Sequence, residues 1–309
     1  MASFEIKDGV AIIPEGTTVI PFDAFRNCRE LTNVIIPSSV TAIGPRAFEG
    51  CKGLTSIDIP DSVTRIEDRA FLGCSELTSI KLSSTLTSLG QFVFSSCTSL
   101  TNIEIPNSVK RIGDYAFDKC RGLVRVELPE SITYLFGHFT GCESLTTIKL
   151  PSSITELGAW SFCNCSGLTN IEIPNSITKI DDSAFKNCSG LTNVIIPDSV
   201  LEIGEGAFYG CTSLTNVVIS SNVTTIGKLA FEGCKGLTSV TIPPVKKIEA
   251  EAFSCENLEQ VTLAAGIGKI NKDAFKNCCK LNKINVPKKK VDYYKKRLPE
   301  EMHQFIVEM

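Results

Sequence analysis

Apolar and polar residues alternate along this chain in short runs that return at a fixed interval. One run reads L-T-x-I-x-I, as in Leu100-Thr101-Asn102-Ile103-Glu104-Ile105. A second reads V-T-x-I, with Val109-Lys110-Arg111-Ile112 as one version of it. Period-two alternation with β-branched residues predicts half-buried strands. A Pro follows the first run and ends its ladder, because it has no N–H to donate. The stretch that follows the second run, G-x-x-A-F-x-x-C, is too short for an ordinary helix. It predicts a turn plus one helical or 3₁₀ turn that carries Ala, Phe and Cys inward.

The interval is marked by twelve cysteines from Cys28 to Cys278, 23 residues apart except for steps of 22 into Cys142 and 21 into Cys255. A Leu stands three residues after each, from Leu31 to Leu281, and a Phe stands just before each, from Phe25 to Phe275. Counted from Pro14, the coils run from 14–36 to 264–286. One such coil cannot bury its own apolar face. Stacking coils ~4.8 Å apart pairs every strand in parallel and joins the faces into one core. The predicted fold class is an α/β repeat solenoid, a right-handed leucine-rich-type coil of twelve ~23-residue turns forming a single domain over 14–286. Residues 1–13, with a Lys7-Asp8-Gly9 turn, predict an N-terminal cap hairpin. Residues 287–309 break the repeat and predict a helical C-terminal cap: a basic helix, Pro299, then a short amphipathic helix turning Met302, Phe305 and Ile306 inward.

Composition narrows the function. The chain has 309 residues, is 43% hydrophobic and carries a net charge of −3, so a clustered basic face for nucleic acid is not expected. The first residues carry neither a basic nor an apolar leader region, and no run of 18 apolar residues exists to span a membrane. Only two histidines are present, His138 and His303. No Ser–His–Asp or Cys–His set has a meeting point on a stack of coils. Gly266-Ile267-Gly268-Lys269 lacks the spacing of a phosphate loop. No enzyme and no cofactor are expected.

The cysteine column invites disulfides or zinc. Equivalent residues in stacked coils point the same way ~4.8 Å apart, whereas a disulfide needs Cβ atoms converging to ~3.8 Å. Zinc needs four ligands about one point, and a line of single thiols does not supply them. The column therefore reads as small buried hydrophobes with weak S–H donors, at home in a reducing compartment. Cys163 and Cys279 stand outside the column and are expected on the surface. A metal set of His138, Cys142, Cys163 and Cys165 is disfavoured, because Cys142 and Cys165 face inward while Cys163 is expected outward.

The unit, read from Ile36-Pro37-Ser38-Ser39-Val40 through Ala47-Phe48-Glu49-Gly50-Cys51 to Leu54, resembles the BspA-like class of leucine-rich repeat over about 14–286. That resemblance implies a surface-exposed or secreted protein, with an adhesin that binds host matrix proteins as one form of it. The expected function is a non-catalytic protein-binding scaffold of this surface, cell-adhesion type, monomeric, engaging a protein partner through one face. The alternative is a cytosolic scaffold with an intracellular partner, which the absent leader and unpaired thiols favour.

A solenoid shows partners its outward columns. One column stands two residues before each Phe from Phe48 onward and reads Arg46, Arg69, Phe92, Tyr115, Gly137, Trp160, Ser183, Gly206, Leu229, Glu251, Asp273. Phe92, Tyr115 and Trp160 replace polar residues there, and the short coil between them adds Phe136 and His138. These form a candidate aromatic binding stripe; the other reading is shielding of a core where Val93 and Ser161 replace Ala. A main-strand column is charged in its middle and apolar at Ile195 and Val218, which complete the candidate partner-binding set.

Overall fold

A computed structural model describes residues 4–309. The chain divides into two compact units, Met1–Ser153 and Ile154–Met309. Both are parallel-strand solenoid, about 13 coils of ~23 residues in all.

In the first unit the main strands include Asn102–Glu104 and Arg125–Glu127, paired in parallel as Asn102↔Arg125, Ile103↔Val126 and Glu104↔Glu127. The second strands form their own ladder from Val19–Ile20 through Ala42–Ile43, Arg65–Ile66 and Ser88–Leu89 to Arg111–Ile112. In the second unit the same two ladders recur, with Asn193–Ile196 on Asn216–Ile219 and Lys179–Ile180 on Glu202–Ile203. The register is the 23-residue period itself, so each inward residue lies on its equivalent in the next coil. Val10–Ile12 already pairs in parallel with Asn33–Ile35. A main strand therefore precedes Pro14, and the twelve coils counted from the prolines are one short.

Three side-chain columns tie the coils together. The phenylalanines stack nearly parallel, with centroids 5.2 Å apart for Phe25–Phe48 and 5.1 Å for Phe48–Phe71 in the first unit. In the second, Phe185–Phe208 and Phe208–Phe231 are each 5.2 Å apart. Offset stacks of this kind add about 0.5–1.5 kcal/mol per pair beyond burial. The threonines that look merely polar bridge coils through their hydroxyls. Thr87 Oγ1 donates to the Thr64 carbonyl at 2.9 Å, and Thr215 Oγ1 to that of Thr192 at 3.2 Å. The column thiols do the same from inside: Cys51 Sγ donates to the Phe25 carbonyl at 2.9 Å and Cys188 Sγ to that of Phe162 at 3.0 Å.

The A-F-x-x-C stretch is not helical. Alternate N–H groups leave the coil, Arg46 to Asp68, Phe48 to Ala70 and Gly50 to Leu72, while Ala47, Glu49 and Cys51 donate three residues back. In the turns from Asp23 to Gly233 two residues of each coil hold positive φ, as at Arg46 (55°) and Gly50 (71°), and these break any helical run. The coils are strand and turn throughout. This replaces the expected helical or 3₁₀ turn, and with it the α component of the coil. The helices described lie at the C-terminal end: Val291–Lys295 and the 3₁₀ segment Glu300–Phe305.

Ahead of the first coil, Ile6–Lys7 turns back on Val10–Ile12 as an antiparallel hairpin through Asp8 and Gly9, both at positive φ. Residues 1–3 lie outside the described residues. After Pro299, Met302 and Phe305 are half-buried on the 3₁₀ segment. Ile306 is not on a helix: it opens the strand Ile306–Glu308, which adds to Lys283–Val286 in parallel. The 3₁₀ segment ends at Phe305, and the chain then pairs with the edge of that last main strand.

Candidate functional site

From Asp23 to Glu251 the column two residues before the Phe lies in the left-handed region, with φ from 52° at Phe92 to 62° at Gly137 in the first unit and 58° at Trp160 in the second. Residues other than glycine pay a steric cost there. The turn throws these side chains along the stack rather than away from it. Phe92 stacks on Tyr115 at 5.0 Å and 4°, and the Arg69 guanidinium covers the other face of Phe92 at 5.6 Å. Tyr115 and Phe136 meet edge to face, with centroids 5.5 Å apart. Gly137 is at φ 62°, and a Cβ there would collide with the Tyr115 ring. Phe92, Tyr115 and Phe136 are consequently half-buried, their faces occupied by one another. In the second unit Trp160 keeps 42% of its surface exposed.

His138 is a correction. The sequence pattern puts it on the exposed stripe, whereas in the structure it is fully buried. It occupies the column that most other coils fill with Ala, in the 22-residue coil. The Phe136 N–H donates to Nδ1 at 2.8 Å, and Nε2 lies 3.3 Å from the Ile112 carbonyl. Burial pulls its pKa down to about 4, with the Ile112 and Phe136 backbone contacts opposing the shift. It presents nothing to a partner.

Cys163 is a second correction: only 6% of it is exposed. Its column sits in the turn between coils, where Arg26 reaches out on a long stem. A thiol has no stem and lies flat against the turn, as Ser95 and Ser254 do. Cys279 is exposed, and Cys28 and Cys278 are half-buried at the ends of the column. Burial raises the column thiols, Cys51 and Cys211 to about 12 and Cys97 and Cys188 well above their ordinary value. They are poor nucleophiles and poor metal ligands. Among the described residues no three His, Cys, Asp or Glu side chains are arranged to hold a metal ion. No helix among them is long and apolar enough to cross a membrane.

The remaining candidates lie on the main-strand face of the second unit. Ile195 and Val218 are register partners on adjacent strands, 65% and 48% exposed. They border a shallow depression of about 590 Å³ with Asn170, Glu172, Asn175, Asn193 and Asp198 around it. The corresponding depression of the first unit, about 540 Å³, is lined instead by Asn102, Glu104 and the ion pair Arg125–Glu127. Sequence reasoning missed Leu201, 52% exposed. It replaces a Thr of the second-strand column, between Thr178 and Thr224, and that departure was its visible signal.

A family model described as the BspA type leucine rich repeat region matches residues 10–123, 87–201, 123–236 and 178–297. The chain belongs to the BspA-type leucine-rich repeat family. Among solved structures it is similar to a leucine-rich repeat protein from Bacteroides ovatus, with 33% identity, TM-score 0.68, and coverage of 97% of this chain and 92% of that one. It shares its fold with a leucine-rich repeat protein from Eubacterium ventriosum (24% identity, TM-score 0.60, 92% and 89% covered). The same holds for the pneumococcal vaccine antigen PcpA (20%, 0.63, 97% and 79%). No curated protein sequence matches.

Proposed function

We propose that this chain is a non-catalytic protein-binding scaffold whose docking face in the second unit centres on Ile195 and Val218. The observation that carries this reading is a pair of large apolar side chains held in water on a rigid ladder, over a depression ringed by Asn and carboxylates. A strand-borne apolar centre with a polar rim is the anatomy of a protein interface. The half-buried ladder of Phe92, Tyr115 and Phe136 and the exposed Trp160 serve as secondary contacts, each in its own unit. Family membership supports the finer reading, an adhesin of the surface type engaging a host or partner protein. The column of buried, protonated thiols favours a second reading, an intracellular scaffold. The hairpin at 4–12 and the segment 287–309 act as caps in either case.

The test is capture by the immobilised intact chain from matrix-protein panels and from cell lysate, alongside the Ile195→Asp/Val218→Asp variant. A protein retained by the wild type and lost by the variant is the expected result. Equal capture by both, or capture by neither, overturns the reading.

A further inference from the structure

Charge is distributed unevenly in the second unit. Residues 264–309 hold eleven Lys and Arg against five carboxylates, Asp273, Asp292, Glu300, Glu301 and Glu308, in a chain whose net charge is −3. Among the described residues, Lys276 alone of the eleven lies within salt-bridge distance of a carboxylate, Glu251 at 3.6 Å. The rest of this charge is not neutralised by ion pairing.

The C-terminal segment collects it at one end of the unit. The helix Val291–Lys295 lies on the last coil through three bonds. Tyr293 donates its hydroxyl to the Ile267 carbonyl at 2.6 Å, Tyr294 to that of Ala264, and Arg297 Nε to that of Gly268 at 2.9 Å. The Arg297 guanidinium also lies 3.6 Å from the centre of the Tyr293 ring. The one arginine is thus committed to holding the helix. Lys269, Lys288, Lys289, Lys290, Lys295 and Lys296 are left exposed around it. Beside them the strand Ile306–Glu308 closes the sheet. Glu308 accepts the Lys289 N–H, and the Met309 N–H donates to the Val286 carbonyl at 2.9 Å. These bonds fix Val307 and Met309 in place next to the lysines, 43% and 52% exposed.

We propose that this end of the second unit docks on an anionic lipid bilayer. Six ammonium groups without carboxylate partners match a sheet of negative headgroups, each adding about a factor of five to binding near such a surface. Val307 and Met309 supply the shallow apolar contact that reaches the headgroup–acyl boundary. The chemistry suits a nucleic acid less well. No guanidinium fork is free to read a base edge, and both tyrosine rings are engaged, so no stacking platform is offered. A phosphodiester backbone would also leave Val307 and Met309 in water.

The experiment is co-sedimentation of the full chain with vesicles of phosphatidylcholine alone or mixed with phosphatidylserine, in parallel with a DNA duplex. Binding to the phosphatidylserine vesicles only, released at about 1 M salt where the Debye length is ~3 Å, is expected. Reversing Lys288, Lys289, Lys290, Lys295 and Lys296 to Glu, with thermal unfolding unchanged, should weaken binding at least about a hundredfold. Val307→Asp should weaken vesicle binding and leave any DNA binding unaltered. No sedimentation with phosphatidylserine vesicles at low salt, an undiminished lysine variant, or tighter retention by DNA than by vesicles overturns the proposal.

Discussion

The imidazole Nε2 of His138 lies 3.3 Å from the carbonyl of Ile112, an acceptor that other coils give to the backbone. Gly90 N–H donates to Ile66 at 2.8 Å and Gly113 N–H to Leu89 at 2.9 Å, each 24 residues back. In the coil one residue short, the equivalent donor is Phe136, and its N–H goes to His138 Nδ1 instead. An N–H can only donate, so Nδ1 carries the lone pair and Nε2 the proton. The ring relays the missing bond between two coils. His138→Ala would remove the ring's contacts with the Phe136 N–H and the Ile112 carbonyl and open a cavity. It should cost about 2–4 kcal/mol by urea denaturation, against under about 1 kcal/mol if the relay contributes nothing.

The same relay makes stability depend on pH. His138 has its pKa depressed from 6.5 to about 4, so the unfolded chain takes up the proton first. The contribution of the neutral ring is complete above about pH 6.5, falls as pH drops toward 4, and is exhausted below that. A shift of that size corresponds to about 3 kcal/mol. The stability gap between wild type and His138→Gln, followed by denaturation across this window, should close by that amount. A gap independent of pH would show the ring to be exposed and ordinary.

Positive φ gives a prediction of opposite sign. Lys119 sits at φ 57°, in the column where Gly50, Gly73, Gly141, Gly210 and Gly233 stand. Lys119→Gly removes a strain of ~1–2 kcal/mol and adds ~0.5–1 kcal/mol of unfolded-state entropy. A net gain of about 0.5–1 kcal/mol in thermal or chemical unfolding is expected. A loss would mean that the turn does not hold this residue in the left-handed region.

The aromatic residues separate by position. Phe117→Ala, in the buried stack, should cost about 3–5 kcal/mol and Leu168→Ala about 2–5 kcal/mol. Trp160→Ala, 42% exposed and at φ 58°, should cost much less. Comparable losses at Trp160 and Phe117 would show the tryptophan to be core.

The coil, its period and its inward residues were legible because every one of them repeats: the identity of Phe, Cys and Leu carries the information twelve times over. What the repeat does not encode stayed hidden. His138 departs from the Ala column once, and its inward direction follows from a deletion whose geometry a pattern cannot show. Cys163 looked exposed because its column neighbours are charged, but length of side chain, and not column, sets exposure in that turn. The left-handed φ of Trp160 and Leu229 was invisible because bulky residues are poor markers of it, whereas the glycines two residues after Phe are good ones. Ile195 and Val218 were legible as departures from polar neighbours, and the lysine end as the basic run of the C-terminal segment, which the net charge of the whole chain hides. That the Arg297 side chain turns inward was not legible, because it depends on the carbonyl of Gly268.

Amide hydrogen exchange on the intact chain with and without a captured partner tests the docking face most directly. New protection concentrated in residues 193–196 and 216–219, the strands that carry Ile195 and Val218, is predicted. Protection confined to other coils, with these two strands exchanging as in the free chain, would contradict it.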